Sequence, residues 1–231
     1  MACDFSYNHY RYFLKKALAE GFKITNFRDL SVGIRQIILR HDIDYSLQSA
    51  FKLARIEAEI GVKATYFIRV HGPYNIFQKE NYKLLKEIEK FGHEIGLHFE
   101  AGTLGPTLGL NEVSLFLKEK EILEAVLGAK IESAAEHGEV PRPKDYWQHH
   151  FFTRVTKNKV GIKHYPQEKA YEKFHYLSDS CGRWREGCFC QNLSKYSDFQ
   201  LLTHPVFWDP KQDSLEKDYA QIMEKNKNLL K

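Results

Sequence analysis

Segments with strand character alternate with segments of helical period along this 231-residue chain, and that alternation constrains its fold more than any other feature. Gln36 to Leu39 is apolar and runs into His41-Asp42-Ile43-Asp44. Ala64 to Arg69 is β-branched and aromatic, and His93 to His98 follows as a third strand. Lys130–Ala135, Phe174–Leu177 and Phe199–Thr203 read as later strands. Between them, Ser46 is placed to cap a helix that Gly61 closes, residues 79–91 repeat Leu and Ile at helical spacing, and Asn111 caps a helix to Leu127. A helix over Tyr7–Ala19 comes first and one over Asp213–Leu230 last; 101–109, with three Gly and one Pro, reads as a loop, and 141–173 as short helices. Alternating strands and helices predict parallel β/α units, either a closed or partly closed barrel or an open doubly wound sheet. No repeat or flexible linker interrupts the pattern, and the length suits one core, so residues 1–231 are expected to form a single domain.

Composition narrows the partners. The net charge is +4, and the lysines at 155–173 and near the C-terminus are interrupted by acids, which predicts a solvated surface rather than a nucleic-acid interface. No charge-free stretch approaches the roughly 18–20 residues that span a bilayer. The polar and aromatic N-terminus lacks a leader pattern, so the expected location is the cytoplasm. The spacing of Cys181, Cys188 and Cys190 fits no zinc ribbon or finger, and together with Cys3 they are expected to be free thiols. An aromatic content of 14% suits either a thick aromatic core or a site that stacks sugar rings.

The ionisable residues collect where strands end. His41, Asp42 and Asp44 follow one strand, His98 ends another, and His137 and His204 follow two more. In parallel β/α folds the C-terminal strand ends share one rim, where active sites are assembled. Asp42 and Asp44 flank Ile43 and so point to one face; two carboxylates held that close repel unless a cation or proton lies between them. The alternative is that Asp44 only caps the next helix and Asp42 pairs with Arg40. His93 alternates with Ile95 and Leu97, on the face opposite His98, and is expected to be structural. His149, His150 and His164 are expected at the surface. Pro205 biases His204 to extended backbone at the rim, a setting that suits a general acid or base near neutral pH.

These segments in this order, Ile38-Leu-Arg-His-Asp-Ile-Asp44, Ala64-Thr-Tyr-Phe, Gly92-His-Glu-Ile-Gly-Leu-His98 and Leu202-Thr-His-Pro205, resemble the polysaccharide deacetylase family, the NodB-homology domains of carbohydrate esterase family 4. The resemblance spans roughly residues 36–208. It implies an α/β fold, an irregular (β/α) barrel with commonly seven strands, and a metal-dependent hydrolase that removes N-acetyl or similar acyl groups from sugars. Carried over by motif, Asp42 would be the catalytic base, Asp44 and His98 metal ligands, and His204 the acid that protonates the leaving amine. Arg142, in Val-Pro-Arg-Pro, would hold the base, and Asp179 would tune His204. The implied cofactor is one divalent ion, zinc, which activates water. The implied substrate is a carbohydrate or nucleotide sugar.

One position departs from the family pattern. A second metal histidine four residues after the first is usual there, and this chain has Gly102. His137 is the first choice for the third ligand and Glu100 the second. Trp184, Phe207 and Trp208 stand either as sugar-stacking rings or as core residues. Two other functions fit the same residues: a non-catalytic carbohydrate-binding protein on a decayed deacetylase scaffold, and a metal amidase acting on another small C–N bond.

Overall fold

The computed structural model describes residues 3–31, 33–138, 150–208 and Glu224; Arg142, His149 and the helix expected over 213–230 lie outside them. Seven strands, β1 (Lys23–Thr25), β2 (Gln36–Ile43), β3 (Thr65–Ile68), β4 (Glu94–Phe99), β5 (Ala134–Glu136), β6 (His175–Ser178) and β7 (Phe199–Thr203), form one sheet. The order is β5-β4-β3-β2-β7-β6, and every pairing is parallel. β1 lies along Gln36–Ile38 and β3 along Arg40–Ile43, so the two follow one another beside β2, opposite β7.

The helices follow their caps. In α1 (Tyr7–Ala19) and α2 (Leu47–Ile60) the hydroxyls of Ser6 and Ser46 accept from the backbone N–H groups of His9 and Ser49. Gly61, left-handed at φ 83°, ends α2. α3 (Lys79–Lys90) and α5 (Glu112–Leu127, capped by Asn111) complete the expected set. The segment 101–109 departs from the expected loop: Ala101–Thr107 is a short helix, α4. Ala101 is fully buried and Leu104 packs on the core, so tertiary burial overrides the weak propensity of its glycines and proline. α6 (Phe151–Arg154) and α7 (Phe189–Asn192) are single turns. The strand expected over Lys130–Ala135 pairs with β4 only at its end, and β1 was not foreseen.

All eight residues of β2 are buried, as in a strand covered on both faces. Ile37, Leu39 and Ile43 face the helices, whereas Ile38 turns inward to a second cluster with Phe27, Phe67, Ala135, Tyr171 and Phe174. Gly96 makes that interior possible: a Cβ there would lie 2.6 Å from the Phe67 ring, which covers the β4 backbone. Above this apolar floor the inward positions become polar: Arg40, Asp42 and Asp44 after Ile38, and His98 after Gly96.

Candidate metal centre

The polar side chains that gather at the site stand at or just beyond the C-terminal ends of their strands. Asp44 follows β2, Arg69 follows β3, His98 lies near the end of β4 with Glu100 just beyond, and His137, Asp179 and His204 follow β5, β6 and β7. His137 Nε2 lies 3.7 Å from Asp44 Oδ1, and His204 Nε2 lies 3.8 Å from Asp44 Oδ2. In a flat sheet β5 and β7, four places apart, would be separated by about 19 Å. That both histidines reach one carboxylate shows the sheet curving around Asp44 into an incomplete (β/α) barrel.

Asp44, His98 and His137 each offer one donor atom, and these three atoms lie within 4.8 Å of one another. His98 Nε2 is 3.3 Å from Asp44 Oδ1. Its other nitrogen, Nδ1, donates to the Ala135 carbonyl oxygen at 3.0 Å, which fixes the ring and makes Nε2 the atom that faces Asp44. Asp44 Oδ1 is buried and has no hydrogen-bond partner among the described residues. A tetrahedral zinc site with ordinary Zn–N and Zn–O bonds separates nitrogen from oxygen by about 3.4 Å. Two imidazoles and a carboxylate at 3.3 and 3.7 Å, with one orphaned oxygen among them, fit a divalent cation. Burial acts to raise the Asp44 carboxyl, yet His98, and then His204 and His137, hold it well below the usual carboxylate range.

Glu100 lies behind His137 rather than among these donors. Its Oε1 is 3.5 Å from His137 Nδ1, and its Oε2 accepts from Arg69 at 2.8 Å and lies 2.7 Å from His71 Nε2. The chemistry of such a carboxylate is to orient the imidazole and raise its basicity. At Gly102 a Cβ would stand 3.3 Å from Glu136 Oε1, so a larger side chain there would have to move a carboxylate that also accepts from the Phe151 N–H.

Asp42 and His204 both adjoin this group. Arg40 donates to Asp42 from two nitrogens, at 2.7 and 2.6 Å from Nη2 and 3.1 Å from Nε, with both residues almost fully buried. Burial alone would raise the Asp42 carboxyl; Arg40, then His98 and His204, outweigh it and lower the pKa. Among the described residues the guanidinium on Asp42 is that of Arg40, two residues upstream on the same face of β2, a pairing that the alternation of the strand carries. Asp42 Oδ2 is 3.6 Å from His98 Nε2. His204 Nδ1 is 2.7 Å from Asp179 Oδ1. Burial would lower His204, but Asp179, followed by Asp44 and Asp42, pushes it up to about 9.

Two of the expected positions differ. His41 does not join the rim: alternation turns it to the helix layer, where Nε2 meets Glu57 at 2.8 Å and Nδ1 meets Thr203 Oγ1 at 2.7 Å. His93 lies in the same layer, 2.9 Å from the Ala54 carbonyl, in the structural position expected of it. Trp208 is fully buried and its indole donates to Asp179 at 2.9 Å, so it is a core residue that supports the site and not a stacking surface for sugar. Trp184 is half-buried and stacks on Phe5, whereas Phe207 packs beside the His204 ring.

Searches for matching protein families and for related curated proteins give no match. Solved structures do match. A Streptococcus pyogenes deacetylase, PplD, in complex with acetate, is 14% identical over 93% of this chain and 85% of its own, with a TM-score of 0.51. A family 4 carbohydrate esterase from Bacillus anthracis is 17% identical over 93% and 86%, with a TM-score of 0.47. The wild-type family 4 pseudoenzyme BA3943 of the same organism is 14% identical over 86% of this chain and 66% of its own, with a TM-score of 0.47. The chain thus shares the fold of the deacetylase PplD, and its own sheet is that of an irregular (β/α) barrel. No helix among the described residues is long and apolar enough to cross a membrane.

Proposed function

We propose that this protein is a metal-dependent hydrolase that removes an N-acetyl or similar acyl group from a cytoplasmic carbohydrate or nucleotide sugar. The observation that carries this is the convergence of Asp44, His98 and His137 with Asp42 and His204 adjoining them. The donor set suits zinc. A divalent ion there supplies a water of lowered pKa and polarises the acyl carbonyl.

Asp42, kept ionised by Arg40, is the base that takes the proton of the attacking water. His204 is held protonated on Nδ1 by Asp179, and its Nε2 faces the same space to deliver a proton to the departing amine. An acid that stays charged to about pH 9 and a base that stays ionised near neutrality form a complementary pair for amide cleavage. Phe207 offers an apolar wall beside His204.

Gly102 favours a second function, carbohydrate binding without turnover. His137 weighs against it, because it supplies the nitrogen that Gly102 cannot. The experiment is acetate release from N-acetylated sugars and nucleotide sugars in zinc-replete buffer, alongside metal content by mass spectrometry. Tight stoichiometric metal with turnover abolished by Asp42→Asn is expected. Sugar binding without acetate release would support the binding module, and no bound metal with no effect of Asp42→Asn would sink the hydrolase.

A further inference from the structure

A second group of metal-type donors lies away from the strand ends. Cys3 precedes α1, His9 sits in its first turn, and Cys188 and Cys190 flank the start of α7. Cys3 Sγ is 3.5 Å from Cys190 Sγ, Cys190 Sγ is 3.5 Å from Cys188 Sγ, and His9 Nε2 is 3.2 Å from Cys188 Sγ. All four donor atoms fall within 4.8 Å of one another. All the cysteines are free, and the fourth, Cys181, is exposed and outside the group.

A buried thiol on its own behaves as a small hydrophobe and needs no partner. Three sulfurs and an imidazole nitrogen gathered about one point are a different matter, and His9, 1% exposed, is buried among them. Ideal tetrahedral zinc, with Zn–S near 2.3 Å and Zn–N near 2.0–2.1 Å, separates its sulfurs by about 3.8 Å and sulfur from nitrogen by about 3.6 Å. Three of the six separations are shorter by only about 0.3–0.4 Å, and the others stay within 4.8 Å.

We propose that Cys3, His9, Cys188 and Cys190 form a structural, closed tetrahedral site for a thiophilic divalent ion, zinc. Three thiols give their protons to solvent as the ion binds, and no electron is transferred. Three thiolates and a neutral imidazole around a dication carry a net charge of −1. Lys16 lies at the rim to offset it, its ammonium donating to the Cys190 carbonyl at 2.6 Å. The ion would tie the start of α1 to the segment before β7, joining residues 187 apart in sequence. The His9 ring stacks at 6.4 Å on Trp208, whose indole donates to Asp179, so the knot braces from behind the residue that holds His204. Spacing among Cys181, Cys188 and Cys190 hides this site, because half of its ligands come from the other end of the chain.

The test is cobalt(II) substitution of the full, reduced chain. Intense thiolate-to-cobalt charge-transfer absorption is expected; it should persist in Asp44→Ala and vanish in Cys188→Ser. Because Cys188→Ser risks misfolding, Cys3→Ser at the exposed end is the second variant. It should keep the wild-type circular dichroism, weaken zinc binding by about tenfold or more and lower the charge-transfer intensity. In the zinc-loaded chain a thiol reagent should modify Cys181 alone, and the other three only after chelation. A cobalt-loaded wild type with no thiolate band, thiols equally reactive with and without chelator, or a Cys3–Cys190 disulfide that survives treatment with reductant would each overturn the site. None of these outcomes bears on Asp44, His98 and His137, so this proposal and the hydrolase fail separately.

Discussion

Asp179 grips His204 by ring and backbone at once. Its Oδ1 lies 2.7 Å from the ring Nδ1 and accepts the His204 backbone N–H at 3.0 Å; its Oδ2 takes the same N–H at 3.1 Å and the Trp208 indole at 2.9 Å. The carboxylate is fully buried, so the imidazole is fixed in tautomer and direction, with Nε2 left to face Asp44.

This grip sets the proton affinity of His204 in the metal-free chain. The folded value, about 9, exceeds the ordinary 6.5, so the linked stability is fully present below pH 6.5 and is lost as pH rises through 9. At 1.36 kcal/mol per unit it amounts to roughly 3 kcal/mol. Asp179→Asn should bring the titration down towards the ordinary value and flatten the stability of the metal-free chain across that window. NMR titration of the ring and urea unfolding at several pH values measure both; an unmoved titration would show that Asp179 does not set it.

Arg40 and Asp42 are a buried ion pair, and removal of one member leaves the other charged and unpaired. Arg40→Gln should destabilise the fold by about 3–5 kcal/mol. It should also raise the Asp42 pKa and move the acid limb of any activity profile to higher pH. Arg40→Lys keeps the charge and loses the bidentate geometry, so an intermediate effect is expected. Denaturant titrations of both variants decide the matter, and an Arg40→Gln chain as stable as wild type would contradict it.

The alternation of β2 was legible from Ile38 to Asp44, and with it the inward row that makes the site. The same rule, applied strictly, would have turned His41 away from the rim towards Glu57. β1 is three residues long and lies beside only the first half of β2, too little for a periodic signal. α4 is held by the burial of Ala101 and Leu104, a tertiary effect that its glycines and Pro106 conceal. The partnership of Asp179 with His204 came from family likeness, since 25 residues of sequence separate them and no local pattern joins them. Arg69 and His71, which hold Glu100, carried no motif at all.

The group behind the metal centre predicts graded losses. His137→Ala removes a donor and should weaken zinc by more than about 100-fold, whereas Glu100→Gln, which loosens only the orientation of His137, should cost about 10–100-fold. Competition with a chromophoric chelator reads both. Equal affinities for wild type and His137→Ala would remove His137 from the ligand set and return the third position to another group.

Glu119 is 3% exposed on α5, its Oε1 3.8 Å from His71 Nδ1, and among the described residues neither carboxyl oxygen has a well-formed hydrogen-bond partner. Burial pushes its pKa up to about 7 against the opposing influence of His71, so the native chain holds a proton there that the unfolded chain has released above pH 4.5. The stability linked to that proton is present below 4.5 and falls away as pH rises through 7, by up to roughly 3 kcal/mol. This window overlaps that of His204 only between pH 6.5 and 7, so the two slopes can be told apart. Glu119→Gln keeps the shape and cannot ionise; it should match wild type near pH 4 and exceed it by about 2–3 kcal/mol at pH 8. Parallel stability curves for the two chains between pH 4 and 8 would mean that Glu119 reaches solvent and ionises freely in the folded state.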